Sequence, residues 1–301
     1  MMNSSPRPDS SNRLIISAAS AAFGPALLAM LGSLNLNWTA HPPVRVYDLG
    51  IESGILEILE TNQIEVVKVP PFCPHWRKHF TWKIWCLNDA PAHQVLWIDA
   101  GLAVIEPLDE IFTAIDALGY FVVPNYQLLD WEGSEAACRG CMVDPAFRLS
   151  KPTLAGTLMG FLKSGKALQV LQEALAVALV EEHIQATHPR HRHDQAIISL
   201  LMYKHFGSVV LADDQIYLGD RSPEQVPGQK IWVHRRGMLA QDLEFYRNYI
   251  SQAGPPRKPL NPSKNRPKNP IVLSLRFVRS RYRRIRNRLE PPKIYDGVRD
   301  E

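Results

Sequence analysis

Val95-Leu96-Trp97-Ile98-Asp99-Ala100-Gly101 decides how this chain is read. Four large apolar residues form a run too short for a helix, and the Ala-Gly pair behind them is turn-like. The segment is therefore expected to be a strand buried on both faces of a sheet. Asp99 closes it. A carboxylate gains nothing from packing at the end of such a strand, so it either caps the following turn or faces a ligand bound at that edge.

Outward from this strand the pattern alternates. Leu14-Ile15-Ile16, Val44-Arg45-Val46-Tyr47, Ile64 to Val69 and Tyr120-Phe121-Val122-Val123 are further β-branched or aromatic runs bounded by turn residues. Helical stretches lie between them at Pro25 to Leu36, Ile51 to Glu60 and Leu108 to Leu118. The last of these carries Leu108, Ile111, Phe112, Ile115 and Leu118 at helical spacing. Such alternation predicts an α/β fold, a mostly parallel sheet with helices on both faces, in which ligands meet the carboxyl ends of the strands. Asp48 and Asp99 follow the second and fourth strands and stand at that edge. Beyond Asn125 the rhythm loosens. A loop to Pro152, a strand at Thr153 to Phe161 and a helix from Lys166 to about His183 are expected. A His- and Arg-rich loop (Thr187 to His193), a helix from Asp194 to His205, and strands near Val209 to Leu211 and Lys230 to His234 complete the pattern. No G-x-G-x-x-G and no P-loop Lys motif occurs, which disfavours dinucleotide-binding and phosphate-loop enzymes.

The 301 residues are 46% hydrophobic and 21% charged, as expected for one large domain plus a tail. The net charge of +4 divides unevenly: residues 251–301 carry +10 and the rest −6. The expected organisation is a Ser/Pro/Asn-rich disordered leader (1–12), an α/β domain (13–250), a Pro-rich linker (251–270) and a basic tail (271–301). Between Ile271 and Leu289 apolar residues interleave with seven Arg, the pattern of a basic amphipathic helix suited to an anionic membrane surface. The same charges would hold RNA or an acidic partner, and a helix packed on the body is the plainer alternative. Leu14 to Leu36 has no formal charge and could be an anchor or a signal peptide. Gly24-Pro25 and several Ser and Asn argue instead for a strand, a turn and a helix opened by Pro25. Cys138 and Cys141 have the spacing of half a zinc knuckle, but Cys73 and Cys86 have twelve residues between them, so the four read as reduced thiols of a cytosolic protein. His188, His191 and His193, with Arg190 and Arg192, read as a solvated loop in which Arg192 can reach a phosphate.

Taken in order, Val44 to Gly50, Trp82-Lys83, Leu96 to Gly101, Ala155-Gly156-Thr157, His193-Asp194-Gln195 and Val233-His234-Arg235-Arg236-Gly237 resemble the landmarks of GT-A-fold glycosyltransferases related to glycosyltransferase family 8. The resemblance spans Arg13 to Leu239. It implies a nucleotide-sugar donor, with a UDP-sugar the expected form, and a glycan, lipid or protein acceptor. Asp99 would be the first Asp of a D-x-D motif binding a divalent metal (Mn or Mg) and the nucleotide ribose, and His234 would complete the metal site. The second Asp is replaced by Gly101, which removes one ligand and puts metal dependence in question. Lys83 and Asp48 would approach the donor. Gly156 would line the acceptor side, where a side chain would block the sugar. Asp194 and Gln195 would stand near the anomeric carbon in an enzyme that retains the donor's stereochemistry, Asp194 orienting hydroxyls and Gln195 stabilising the oxocarbenium. Arg235 and Arg236 suit diphosphate oxygens because guanidinium donates in a planar fork. The resemblance also places the tail on the inner membrane face and disfavours nucleic acid as a partner. A chain that has kept the fold and lost catalysis is the alternative, with Gly101 as its trace. A nucleotidyltransferase is disfavoured, because Ser17 to Gly24 lacks the expected Lys or Arg.

Overall fold

The computed structural model describes residues 12–185, 192–219, 228–234 and 240–250. The strands are β1 (Arg13–Ala19), β2 (Val44–Asp48), β3 (Glu65–Lys68), β4 (Gln94–Ile98), β5 (Leu102–Val104), β6 (Tyr120–Leu128), β7 (Pro152–Leu162) and β8 (Ile231–Val233). The helices are α1 (Gly24–Asn37), α2 (Ser53–Thr61), α3 (Thr81–Asp89), α4 (Asp109–Leu118), α5 (Leu129–Glu132), α6 (Glu135–Gly140), α7 (Gly165–Ala178), α8 (Glu181–Ile184), α9 (His193–Phe206), α10 (Asp214–Tyr217) and α11 (Ala240–Arg247).

Every residue of β4 is buried, as its unbroken apolar run requires. It is one of the central strands of a six-stranded sheet in the order β3-β2-β1-β4-β7-β6. The β1–β2, β2–β3 and β1–β4 pairs are parallel, and β7 is antiparallel to both β4 and β6, so five strands share one direction and β7 alone opposes them. Alternate side chains feed two cores. Ile16, Trp97 and Met159 pack with residues of α3, α7 and α9 on one face, while Ile15, Leu96 and Leu158 pack with α1, α2 and α4 on the other. Burial of each such large side chain contributes about 1.5–3 kcal/mol.

The uncharged stretch 14–36 is β1, a short turn and a 14-residue helix. Its polar residues serve neighbouring backbone: Ser33 Oγ accepts from Val104 N at 2.9 Å, and Asn35 Nδ2 donates to Tyr249 O at 2.9 Å. Gly32 is required where α11 crosses, since a Cβ there would lie 1.8 Å from Tyr246 O. Among the described residues no helix is long and apolar enough to cross a membrane.

Several expectations need correcting. The helix expected from Lys166 to His183 is two, α7 and α8, because Val180 is extended (φ −96°, ψ 106°) between them. Val209 to Leu211 forms no strand; it is tethered beside β6 by Val210 N donating to Tyr120 Oη and Ala212 N to Val122 O. The loop expected from Asn125 to Pro152 contains the end of β6, α5, α6 and a 3₁₀ turn at Pro145–Arg148. β5 and its partner β8 form a second, two-stranded sheet. All four cysteines are free thiols. Residues 1–11 of the leader, the linker, the basic tail, His188, Arg190, His191, Arg235, Arg236 and Gly237 lie outside the described residues.

Candidate active site

Asp99 leaves β4 at the carboxyl edge of the parallel strands, its N–H bonded to Thr157 O of β7 at 2.9 Å. Lys83, on the first turn of α3, points at the same place. Its Nζ donates to Asp99 Oδ1 at 3.0 Å and to Gly156 O at 3.0 Å, and lies 3.9 Å from Asp194 Oδ2 at the start of α9. Three separate elements thus converge with β7 on one ammonium group. The Lys83 and Asp194 side chains are only 5% and 4% exposed, whereas Asp99 is 28% exposed. Asp99 is therefore the member of this cluster that meets solvent. Trp97, two residues earlier on the same face of β4, donates Nε1–H to Asp99 Oδ1 at 2.6 Å.

Burial pushes the Asp194 carboxyl up to about 6; Lys83 opposes the shift and the Asp99 charge adds to it. For Lys83 burial works downward, but the charges of Asp99 and Asp194 outweigh it and hold the ammonium above its ordinary value. With both carboxylates ionised the cluster carries one more negative charge than positive. Asp194 Oδ2 and Gln195 Oε1 are buried and accept no hydrogen bond among the described residues. Two acceptors left this way each cost about 1–3 kcal/mol unless a ligand or water donates to them.

Gly156 lies beneath this pair. A Cβ there would come within 2.7 Å of Gln195 Cγ and 3.3 Å of Asp194 Oδ2. The space that the absent side chain leaves is taken by Gln195 and Asp194. Asp194 sits in the first turn of α9, where Arg192 occupies the cap position without a side-chain bond to the helix.

Asp48 is at the carboxyl end of β2, two strands from β4 across β1, hence about 10 Å away along the edge. Its Oδ1 accepts from Gly50 N and Ile51 N, each at 2.7 Å, so it closes the turn after its strand. Arg192 is committed elsewhere. Its Nε donates to Glu132 Oε1 at 2.9 Å, and its N–H bonds Glu132 O at 3.0 Å. Nothing in the residues around Glu132 marked it out in the sequence; Trp97, by contrast, was legible as the i−2 neighbour of Asp99.

Gly101 and His234 are adjacent across β5 and β8, with His234 N donating to Gly101 O at 3.1 Å. The two metal candidates, Asp99 and His234, therefore sit on neighbouring backbone. Among the described residues, however, no three carboxylate, imidazole or thiolate groups converge to hold a metal ion. Asp99 Oδ1 already accepts from two donors, one of them cationic. These residues alone do not make a complete metal site.

No family model matches the sequence, and no curated protein matches it. Among solved structures the chain is similar to the galactosyltransferase LgtC in complex with donor and acceptor sugar analogues (13% identity, 75% of this chain and 84% of that one, TM-score 0.45). It is also similar to the glycosyltransferase GlyE of Streptococcus pneumoniae (13% identity, 80% and 60%, TM-score 0.48) and to mouse xyloside xylosyltransferase 1 (12% identity, 74% and 96%, TM-score 0.45). At these identities and scores, any assignment has to rest on the chain's own strand order and side chains.

Proposed function

We propose that this protein is a glycosyltransferase that moves a sugar from a nucleotide-diphosphate donor, a UDP-sugar, to a glycan, lipid or protein acceptor with retention of configuration. The observation that carries the reading is the Lys83–Asp99–Asp194 cluster at the carboxyl edge of a parallel sheet, where two carboxylates face one ammonium and Asp99 opens to solvent. A sugar hydroxyl is a fitting donor to Asp99, the solvent-open carboxylate of the cluster. The strand order supports it too, since the donor would lie along β2, β1 and β4, past Asp48 and Asp99.

As the bond between the anomeric carbon and the diphosphate oxygen breaks, positive charge develops on the sugar. The excess carboxylate of the cluster and the Gln195 carbonyl dipole are placed to stabilise it. Lys83 is held by two carboxylates, so its part is to position Asp99 and Asp194 and to moderate their charge. Neutralising the departing diphosphate falls to Arg235 and Arg236, outside the described residues, and no step is assigned to a metal. Residues 271–289 also lie outside the described residues. We propose that they bind an anionic membrane surface on the cytoplasmic side, which flotation with phosphatidylserine liposomes tests: equal binding with and without residues 271–301 removes that role.

The experiment for the main reading is a thermal-shift screen of UDP-sugars with and without Mn, paired with donor hydrolysis. Stabilisation by a UDP-sugar and hydrolysis that falls in Asp99→Ala are expected. An Asp99→Ala protein that binds and hydrolyses the donor like the wild type would sink the assignment. Gly101 and the incomplete metal ligand set favour one second reading, a nucleotide-sugar-binding protein without catalysis; binding with no turnover at any metal concentration would establish it.

A further inference from the structure

Phe80 is the aromatic residue the fold leaves most open, at 49% exposure among otherwise aliphatic exposed side chains of the described residues. It is also held in an awkward conformation. Phe80 and the preceding His79 have φ of +57° and +56°, and His193 has φ of +42°; these are three of the six non-glycine residues with positive φ in the described chain. His193 neighbours both: its ring centroid is 5.0 Å from that of His79 and 6.2 Å from that of Phe80. The left-handed region is disfavoured for any residue with a Cβ, and such residues cluster where a surface must be held in one shape. Here the cluster joins the start of α3 to the start of α9, the two helices that deliver Lys83 and Asp194.

The ring adjoins the reaction centre. Lys83 Nζ lies 5.7 Å from the Phe80 centroid, and the same atom reaches Asp99 Oδ1 and Asp194 Oδ2. An exposed apolar ring that shares Lys83 with the solvent-open carboxylate of Asp99 describes a ligand with a polar edge and an apolar face. A pyranose ring has both, hydroxyls around its rim and a face of C–H groups that complements the negative face of an aromatic ring. We propose that Phe80 is a stacking platform for a pyranose ring and helps to set sugar specificity; this rests on the glycosyltransferase reading. The sugar comes either from the donor or from the acceptor.

Two arms separate these sources in the full-length protein. In the first, the affinities for UDP and for UDP-glucose, UDP-galactose and UDP-N-acetylglucosamine are measured by calorimetry. In the second, saturation-transfer NMR follows methyl glucosides and methyl galactosides in the presence of UDP. Phe80→Ala is expected to weaken one class of pyranose probe about tenfold, while Phe80→Trp stays within about twofold of wild type and UDP affinity is unchanged in both. Phe80→Gly relieves the left-handed backbone, so it should melt no lower than Phe80→Ala while losing the same sugar affinity. If UDP binds normally and Phe80→Ala holds every pyranose probe as the wild type does, or the wild type holds none, the platform is refuted while the nucleotide reading survives. If the wild type does not bind UDP, both fall together.

Discussion

Arg192 and Asp194 stand two residues apart at the start of α9, and each belongs to a buried ion cluster, yet the clusters are built differently. Glu132, 1% exposed, faces one guanidinium, with Asn125 Nδ2 donating to its second oxygen at 3.2 Å. Both of its carboxylate oxygens are served. Lys83 instead faces two carboxylates, and Asp194 Oδ2 meets the shared ammonium only at 3.9 Å, beyond hydrogen-bond reach. A buried charge that the protein itself partners mainly resists removal of the partner; one left in excess costs stability and is tolerated where a ligand completes it.

Removing the central ammonium should have the largest effect. Lys83→Met takes the shared ammonium from the buried Asp194 and the part-exposed Asp99. Chemical denaturation is expected to show a loss of about 3–5 kcal/mol, and turnover per folded molecule should fall about 10³-fold. Near-normal stability would mean that the cluster is looser than the 3.0 Å contact implies.

Asp194→Asn should separate stability from activity. The folded chain binds the Asp194 proton more tightly than the unfolded chain, with its pKa raised from 3.8 to about 6. Its contribution to stability is thus fully present below about 3.8 and is lost as the pH rises through about 6. Ionisation at neutral pH costs on the order of 3 kcal/mol by this linkage. Asp194→Asn is expected to flatten that part of the stability-versus-pH curve and to raise stability at pH 7, while turnover drops about 10²-fold. A variant less stable than the wild type at pH 7 would place Asp194 in the same balanced class as Glu132.

The smallest effect tests the other side of the contrast. Arg192 is 48% exposed, and Glu132 keeps Asn125 when the guanidinium is removed, so Arg192→Ala should cost about 1–3 kcal/mol in denaturation experiments. Turnover per folded molecule should stay within about twofold of wild type. A collapse of turnover comparable to that of Asp194→Asn would break the comparison, returning Arg192 to the phosphate-binding role read from its basic loop.

Local pattern carried the sheet and the placement of Asp99 and Asp48 at its carboxyl edge. Strand and helix periodicity survive folding wherever an element is buried on a defined face, as β1, β4 and α4 are. It was weaker where short elements depend on distant partners. β5, β8 and the strand-like Val209 to Leu211 have the same apolar look, and only β5 and β8 found each other. The break between α7 and α8 at Val180 lay within an unbroken helical pattern.

The site divides the same way. Its place at a strand end nominated Asp99, and the family resemblance nominated Lys83, Gly156, Asp194 and Gln195. The tertiary structure decided what they do to one another. It buried Lys83 between two carboxylates, gave the room at Gly156 to Gln195, bound Arg192 to Glu132, and left Phe80 open beside them. Charge balance and side-chain exposure depend on which elements meet, here α3, β4, β7 and α9. Those meetings join residues as far apart as 83 and 194, and no local pattern in the chain encodes them.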